Sequence, residues 1–484
     1  VTRTYAFERM LARPGHGPAE DDVVVTVEDS RIAAIESGVA DGAGTGRLAV
    51  PALVNAHDHG FGLRPVDFGV LDDALEPWIA GWGLRPQIDP YLETLVAFGR
   101  MARAGIGATI HCHNSHRADR MVEETAAVVR AARDVGIRLG LSCPILDRNS
   151  WVYGGPEALR PFLSDADWNA LSSSIPVDAP AEVQIARVDE VAAAHESSMV
   201  CVQYGPVGPQ WCQDRTLELI AEASAQNERR VHMHLLESKR QREWFDHVYP
   251  DGVLRFFDKI GLLTPRLAVA HGVWLREEEA AMLAERGVTV VSNPSSNLRL
   301  RSGVAPLGML LRQGVEVAFG LDGTGLDDDQ DLWRELRLAN VLQGGTGLEP
   351  EMPVEQLFDA ALLGGARVID GASDRGVLQK GRAADFAVID LNALTEDLVL
   401  EMTDLSRLLL ARMTAARVSD LMVAGEAVLA DRRLVNVDFE AAQQELRAQS
   451  AAASEDLAER HRKADCMREA IRAYYAAGAH LQDH

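Results

Sequence analysis

Imidazole and carboxylate side chains recur at the ends of short apolar runs in this chain, in an order suited to holding a divalent cation. His57-Asp58-His59 follows LAVPALVNA, His234 and Glu237 lie in RRVHMHLLES, His271 closes RLAVAH, and Asp322 follows VEVAFGL. A catalytic metal site needs a few nitrogen and oxygen ligands and one open coordination position. These segments are far apart in sequence, so the fold has to bring them together. A parallel barrel does so by carrying such residues at the C-terminal ends of its strands. The chemistry indicated is hydrolysis by a metal-activated water.

Spacing qualifies each residue. In a strand, residues i and i+2 face the same side, so His57 and His59 can reach one ion. By itself the pair equally suits two solvated or core histidines. Glu237 comes three residues after His234, in a strand-to-helix turn from which its carboxylate can swing over the ion. His232 shares the strand face of His234 and competes with it as ligand, and the distance to Glu237 favours His234. His271 is followed by Gly272, a tight exit from a strand, and Asp322 occupies Leu321-Asp322-Gly323, a position that also suits a helix cap.

On the substrate side, His111 and His113 share a strand face within His111-Cys112-His113-Asn114-Ser115-His116. They suit substrate contact, structural hydrogen bonding or a second metal. Gln203 ends another β run, and Trp82 sits on a loop with Phe61, Trp78, Trp151, Tyr153 and Trp211. Such rings line pockets for flat or apolar ligands, with plain loop packing as the alternative. Asn293 and Asn297 in SNPSSN are read as turn-holding residues.

The elements that must position these groups are short. Eight β runs are expected at 52–56, 108–112, 137–143, 199–204, 230–235, 267–271, 288–292 and 315–321, separated by helical stretches such as 121–134 and 215–228. They are apolar throughout, as parallel strands covered on both faces are. This α/β pattern predicts a (β/α)₈ barrel over 51–375. An open doubly wound sheet would carry a Gly-rich phosphate turn after the first strand, and none is present. Both chain ends are β-rich, with VVVTVEDSRIAAIESG near the start and ADFAVIDL and SDLMVAGEAVLADRRLV near the end. They predict a small β-sandwich built from 1–50 and 376–435. The Ala-, Glu- and Arg-rich tail, 436–484, is expected to form surface helices and to serve in a dimer contact.

The 484 residues carry 72 acidic and 48 basic side chains, a net charge of -24. That balance disfavours nucleic-acid partners, which are bound through clustered Lys and Arg. The five cysteines are irregularly spaced without a CxxC pair, and no long apolar run or leader pattern is present. A reducing cytoplasm and no membrane association are therefore expected.

Taken together, VPALVNAHDH, DDALEPWIAGW, VHMHLLES, LAVAHGVWL, SNPSSNLRLRSGVAPLGMLLRQGVEVAFGLDG and GVLQKGRAADFAVID resemble the amidohydrolase superfamily. The similarity is to the branch of cytosine deaminase, S-adenosylhomocysteine deaminase and the triazine hydrolases, and it runs from about residue 22 to 435. The resemblance implies that His57, His59, His234 and Asp322 bind one metal, with Glu237 as proton shuttle and His271 polarising or orienting the water. Asp322 would also accept the water's proton. No Lys precedes Lys239, so a bridging carboxylated lysine on the fourth strand is excluded and one metal is expected. Zinc fits best, and iron, cobalt or manganese would accept the same ligands.

Asp58 and the HCHNSH segment depart from the deaminase pattern. With the loop aromatics, they favour hydrolysis of a C–N bond in a small N-substituted amide, urea or (thio)carbamate. The alternative is an aminohydrolase releasing ammonia from an aminated heteroaromatic such as a purine, pyrimidine, pterin or triazine. A non-catalytic barrel is a third reading, opposed by the intact ligand set. Relatives commonly assemble, so a homo-oligomer acting on a small molecule is expected.

Overall fold

The computed structural model describes residues 2–39, 41–115, 118–148, 151–172, 175, 179–323, 329–399, 404–453 and 456–482. His116 of the HCHNSH segment lies outside them.

Strands β1 (Arg3–Met10), β2 (Glu20–Glu28), β3 (Arg31–Glu36) and β4 (Arg47–Pro51) precede the barrel. The barrel strands are β5 (Leu53–Asn55), β6 (Ile106–Cys112), β7 (Arg138–Ile145), β8 (Val200–Pro206), β9 (Val231–Leu235), β10 (Leu267–His271), β11 (Thr289–Ser292) and β12 (Glu316–Phe319). Strands β13 (Phe386–Asp390), β14 (Val418–Val423), β15 (Glu426–Ala430) and β16 (Arg433–Leu434) follow. Each of the eight expected central runs overlaps a strand, and the strands pair in parallel in chain order from β5 to β12. Ala56 N donates to the Phe319 carbonyl at 2.8 Å, drawing the last strand back to the first.

Closure depends on Gly320. A methyl group there would lie 2.7 Å from the His57 Cβ and backbone N, so only glycine lets the eighth strand pass this close to the first ligand pair. Strands this short and apolar are stable because both faces are covered. Val54, Ala108, Ile110, Ala268, Val291 and Ala318 fill the interior, and the outer faces pack on the surrounding helices within a much larger core.

The chain ends meet in one sheet of order β16-β15-β14-β13-β4-β1-β2-β3. Strand alternation gives it two apolar faces. Phe7, Val23, Val25, Phe386 and Val388 form a separate core, whereas Leu48, Val50, Ile389 and Leu421 join the core of the barrel. The tail forms helices Phe439–Ala452 and Leu457–Ala476. The second does not project as a surface element. It packs on the loops at the barrel mouth through Ala464, Met467, Ala470 and Ile471.

Candidate metal centre

The C-terminal ends of four strands converge on one point. His57 and His59 follow β5, His234 lies near the end of β9, His271 ends β10, and Asp322 follows β12. His57 Nε2 is 3.0 Å and His59 Nε2 3.1 Å from Asp322 Oδ1, and His234 Nε2 is 3.3 Å from His59 Nε2. One ligand atom from each of His57, His234, His271 and Asp322 lies within 4.8 Å of the others. Glu237 Oε2 is 3.7 Å from His271 Nε2.

The second nitrogen of each ring decides which one faces the centre. Nδ1 of His234 donates to the Val207 carbonyl at 2.6 Å, and Nδ1 of His59 to the Cys112 carbonyl at 3.0 Å. Nδ1 of His271 donates to Asn297 Oδ1 at 2.8 Å, and Nδ1 of His57 pairs with His232 Nε2 at 2.7 Å. All four rings thus turn Nε2 inward with its lone pair available, the arrangement that outer hydrogen bonds impose on metal-binding imidazoles. His271 Nε2 is buried without a hydrogen-bond partner. A nitrogen-rich set with one carboxylate fits a single divalent transition metal.

Electrostatics agree with this reading. Burial, followed by the neighbouring imidazoles, holds His234 well below the ordinary histidine range. Burial brings His271 down to about 4, so both rings are neutral at pH 7. Burial alone would raise Asp322, but the imidazoles of His57 and His59 at its oxygen, followed by His271, hold it well below the carboxylate range. Glu237 is pushed well above that range by burial first, then by Asp322 and Glu76. One carboxylate is thus favoured as the anion beside another pushed toward its protonated form, the environment-set division that acid–base chemistry uses. His271 and Asp322 also have φ of 75° and 58°, left-handed values that non-glycine residues adopt at a cost of about 1–3 kcal/mol and that cluster at functional sites.

Other expected site residues fall differently. Trp82 lines a cavity of about 650 Å³ whose floor carries His59, His234, Glu237, His271 and Asp322. His113 lines the same cavity, and its Nε2 meets Glu124 Oε2 at 3.0 Å. His111 is not on the main cavity. It faces a small side cavity of about 80 Å³ shared with His113, and its Nε2 is 3.3 Å from His113 Nδ1. Among the described residues these two belong to no group of metal-ligating side chains.

Gln203 is corrected. It is fully buried, and its amide donates to the Val368 and Ile369 carbonyls inside the barrel, because β8 runs on to Pro206 and leaves Gln203 short of the mouth. Asp58 also acquires a structural explanation. Its carboxylate accepts from Gly60 N at 2.6 Å, Asn55 Nδ2 at 2.9 Å and Gly323 N at 3.3 Å, tying the first ligand loop to the last. Its departure from the deaminase pattern therefore carries no information about substrate.

Sequence reading passed over one supporting group, Ser296, and gave Asn297 and His232 other roles. Ser296 Oγ donates to Asp322 Oδ2 at 2.6 Å, Asn297 orients His271, and His232 holds His57 rather than competing with His234. The density of small polar residues in SNPSSN was the available signal for the first two.

A barrel with inward-facing imidazoles and two carboxyl groups of opposed tendencies at its C-terminal mouth suits a metal-dependent hydrolase. Residues 48–428 match the amidohydrolase family, and the chain belongs to that family. It is 28% identical over 382 residues to a 5'-deoxyadenosine deaminase of Methanothermobacter thermautotrophicus, covering 76% of this chain and 80% of that protein. It is 29% identical over 401 residues to a 5-methylthioadenosine/S-adenosylhomocysteine deaminase of Pyrococcus furiosus, covering 81% and 86% respectively. The crystal structure of an adenosine deaminase from Xanthomonas campestris with bound zinc superposes with a TM-score of 0.77 at 24% identity, over 93% of this chain and 98% of the other. At that identity the last match speaks for the fold alone.

Proposed function

We propose that this protein is a zinc-dependent aminohydrolase that releases ammonia from an aminated heteroaromatic ring of the purine class. The observation that carries the proposal is the pairing of Glu237, buried 3.7 Å from His271, with relatives that deaminate modified adenosines across about three-quarters or more of the chain. The alternative of urea or thiocarbamate hydrolysis rests on Asp58, which has a structural explanation, on loop aromatics that suit a flat ring equally well, and on the HCHNSH segment, where His113 pairs with Glu124.

His57, His59, His234 and Asp322 would hold the ion. When bound, a divalent metal supplies Lewis acidity and brings the pKa of water down to about 7. The remaining work falls to side chains. His271, neutral and fixed by Asn297, presents Nε2 to orient the water. Asp322 takes a proton from it as the water oxygen adds to the ring carbon bearing the amino group. The addition sends the C=N electron pair to the neighbouring ring nitrogen. Glu237 delivers a proton to the exocyclic nitrogen, and the C–N bond breaks as that pair returns and ammonia leaves. The added hydroxyl's proton then moves to the ring nitrogen to leave a carbonyl, and the proton held by Asp322 passes back to Glu237. Without the proton from Glu237 the amine is a poor leaving group, and a positioned acid of this kind contributes about 10²–10⁴ in rate. Trp78 and Trp82 offer faces for the ring on the cavity wall.

The test is ammonia release by the zinc-loaded enzyme from a panel of aminopurines, aminopyrimidines, pterins and triazines, beside alkylamine release from N-substituted ureas and thiocarbamates. Ammonia from a purine supports the proposal. An alkylamine from a urea, with no ammonia from any ring, overturns it.

A further inference from the structure

The family match ends at residue 428, yet one wall of the active-site cavity is built from the helix Leu457–Ala476, beyond it. Ala464, Met467 and Ile471 recur at helical spacing and line the cavity that holds Glu237 and Asp322. Trp78, Trp151 and Leu171 line the same cavity and pack in the same apolar clusters as the helix. Arg460 and Lys463 stand on the same helix, one turn nearer its start.

The helix is held in place at both ends. Arg460 donates to the Leu84 carbonyl at 3.2 Å, and Arg472 pairs with Asp73. Tyr474 OH donates to the Tyr153 carbonyl at 2.5 Å, and Tyr153 N donates to Tyr475 OH at 3.1 Å. Tyr153 OH in turn donates to buried Glu76, which also accepts from Ser238, the neighbour of Glu237. A helix wired into the active site in this way acts as a fixed wall.

A cavity of about 650 Å³ falls in the ~300–1,000 Å³ range that encloses drug-sized ligands, so a bare fused ring would leave much of it empty. On the helix side the lining combines the apolar Ala464, Met467 and Ile471 with the charged Arg460 and Lys463. We infer that the helix Leu457–Ala476 is the specificity wall of this site, with Ala464, Met467 and Ile471 receiving an apolar substituent that the substrate carries beyond its ring, at the end of an attached sugar. Each buried methylene of that substituent contributes to binding in proportion to the apolar area it removes from water. This inference rests on the proposed function for the identity of the ring, and not for the wall itself.

The experiment uses adenosine and a ladder of 5'-S-alkyl-5'-thioadenosines from ethyl to hexyl. Binding is read by tryptophan fluorescence on the zinc-loaded Glu237→Gln protein, and ammonia release on the enzyme with Glu237 in place. Affinity and kcat/KM are expected to rise at least 10-fold from adenosine to the hexyl derivative. Met467→Ala should cut that ratio about 3-fold and Ile471→Asp at least 10-fold, whereas Glu469→Gln on the exposed face should leave it unchanged. Should Ile471→Asp fail to fold by circular dichroism, Met467→Ala decides alone.

A ladder without length preference, or a preference untouched by Met467→Ala, overturns the wall. Length-dependent binding without ammonia from any member upholds the wall and rejects the deaminase reading. Ammonia release with no length preference does the reverse, and absence of binding by every member rejects both.

Discussion

Glu237 and His234 sit three residues apart but are expected to fail differently when changed. Glu237→Gln keeps the carboxyl shape and loses its proton, so bound metal should persist while turnover falls about 10²–10⁴-fold. His234→Ala removes a ligand and should abolish both, as read by metal analysis beside ammonia release. A metal-replete, active His234→Ala protein would show that His232 is the ligand. His232 has its own expected signature, because it meets His57 Nδ1 at 2.7 Å and orients the ring without facing the ion. His232→Ala should weaken metal affinity about 10–100-fold in chelator competition while leaving a saturable site. At this scale the candidate ligand residues that the structure brings together were legible, since strand ends and i, i+2 spacing are local properties. The separation of His232 from His234 was not. Both lie on one strand face, and only the positions of His57 and Val207 decide which one points to the centre.

Among the elements, the seam between β12 and β5 is where packing bears most directly on the site. Gly320→Ala would place a methyl 2.7 Å from the His57 Cβ, so either the seam opens or the ligand pair moves. Overpacking of this kind costs about 1–3 kcal/mol. The expected result is a lower unfolding midpoint together with at least a 10-fold loss of activity. A variant with normal stability and activity would show that the seam gives way freely. The eight strands were readable from apolar runs of the right length, with their bounds displaced by a few residues. That displacement placed Gln203 at a strand end, whereas β8 continues to Pro206.

The whole molecule sets the pH response, through carboxylates buried far from solvent. Glu335 is buried behind the site, accepts from Ser295 N at 2.7 Å, and is raised by burial to about 7. Its folded value exceeds its unfolded value, so its contribution is fully present below about pH 4.5 and is lost as pH rises through about 7. The difference between 4.5 and about 7 corresponds to about 3 kcal/mol at most. Glu335→Gln keeps the acceptor for Ser295 but cannot ionise. Its melting temperature relative to the unsubstituted protein should therefore climb between pH 4.5 and 8, measured by thermal unfolding. A difference that stays flat across that window would show that Glu335 titrates normally.

The sequence by itself determined the strand periodicity, the ligand chemistry and the β-rich character of both ends, because each is written in residues close together in the chain. Tertiary structure alone decided the partner of every imidazole Nδ1, the structural duty of Asp58, and the placing of the tail helix over the barrel mouth. Those outcomes depend on contacts between residues tens to hundreds of positions apart, such as Tyr153 with Tyr474 or His57 with Asp322. No local pattern encodes such pairings, since they are fixed only once the strands have closed and the helices have packed around them.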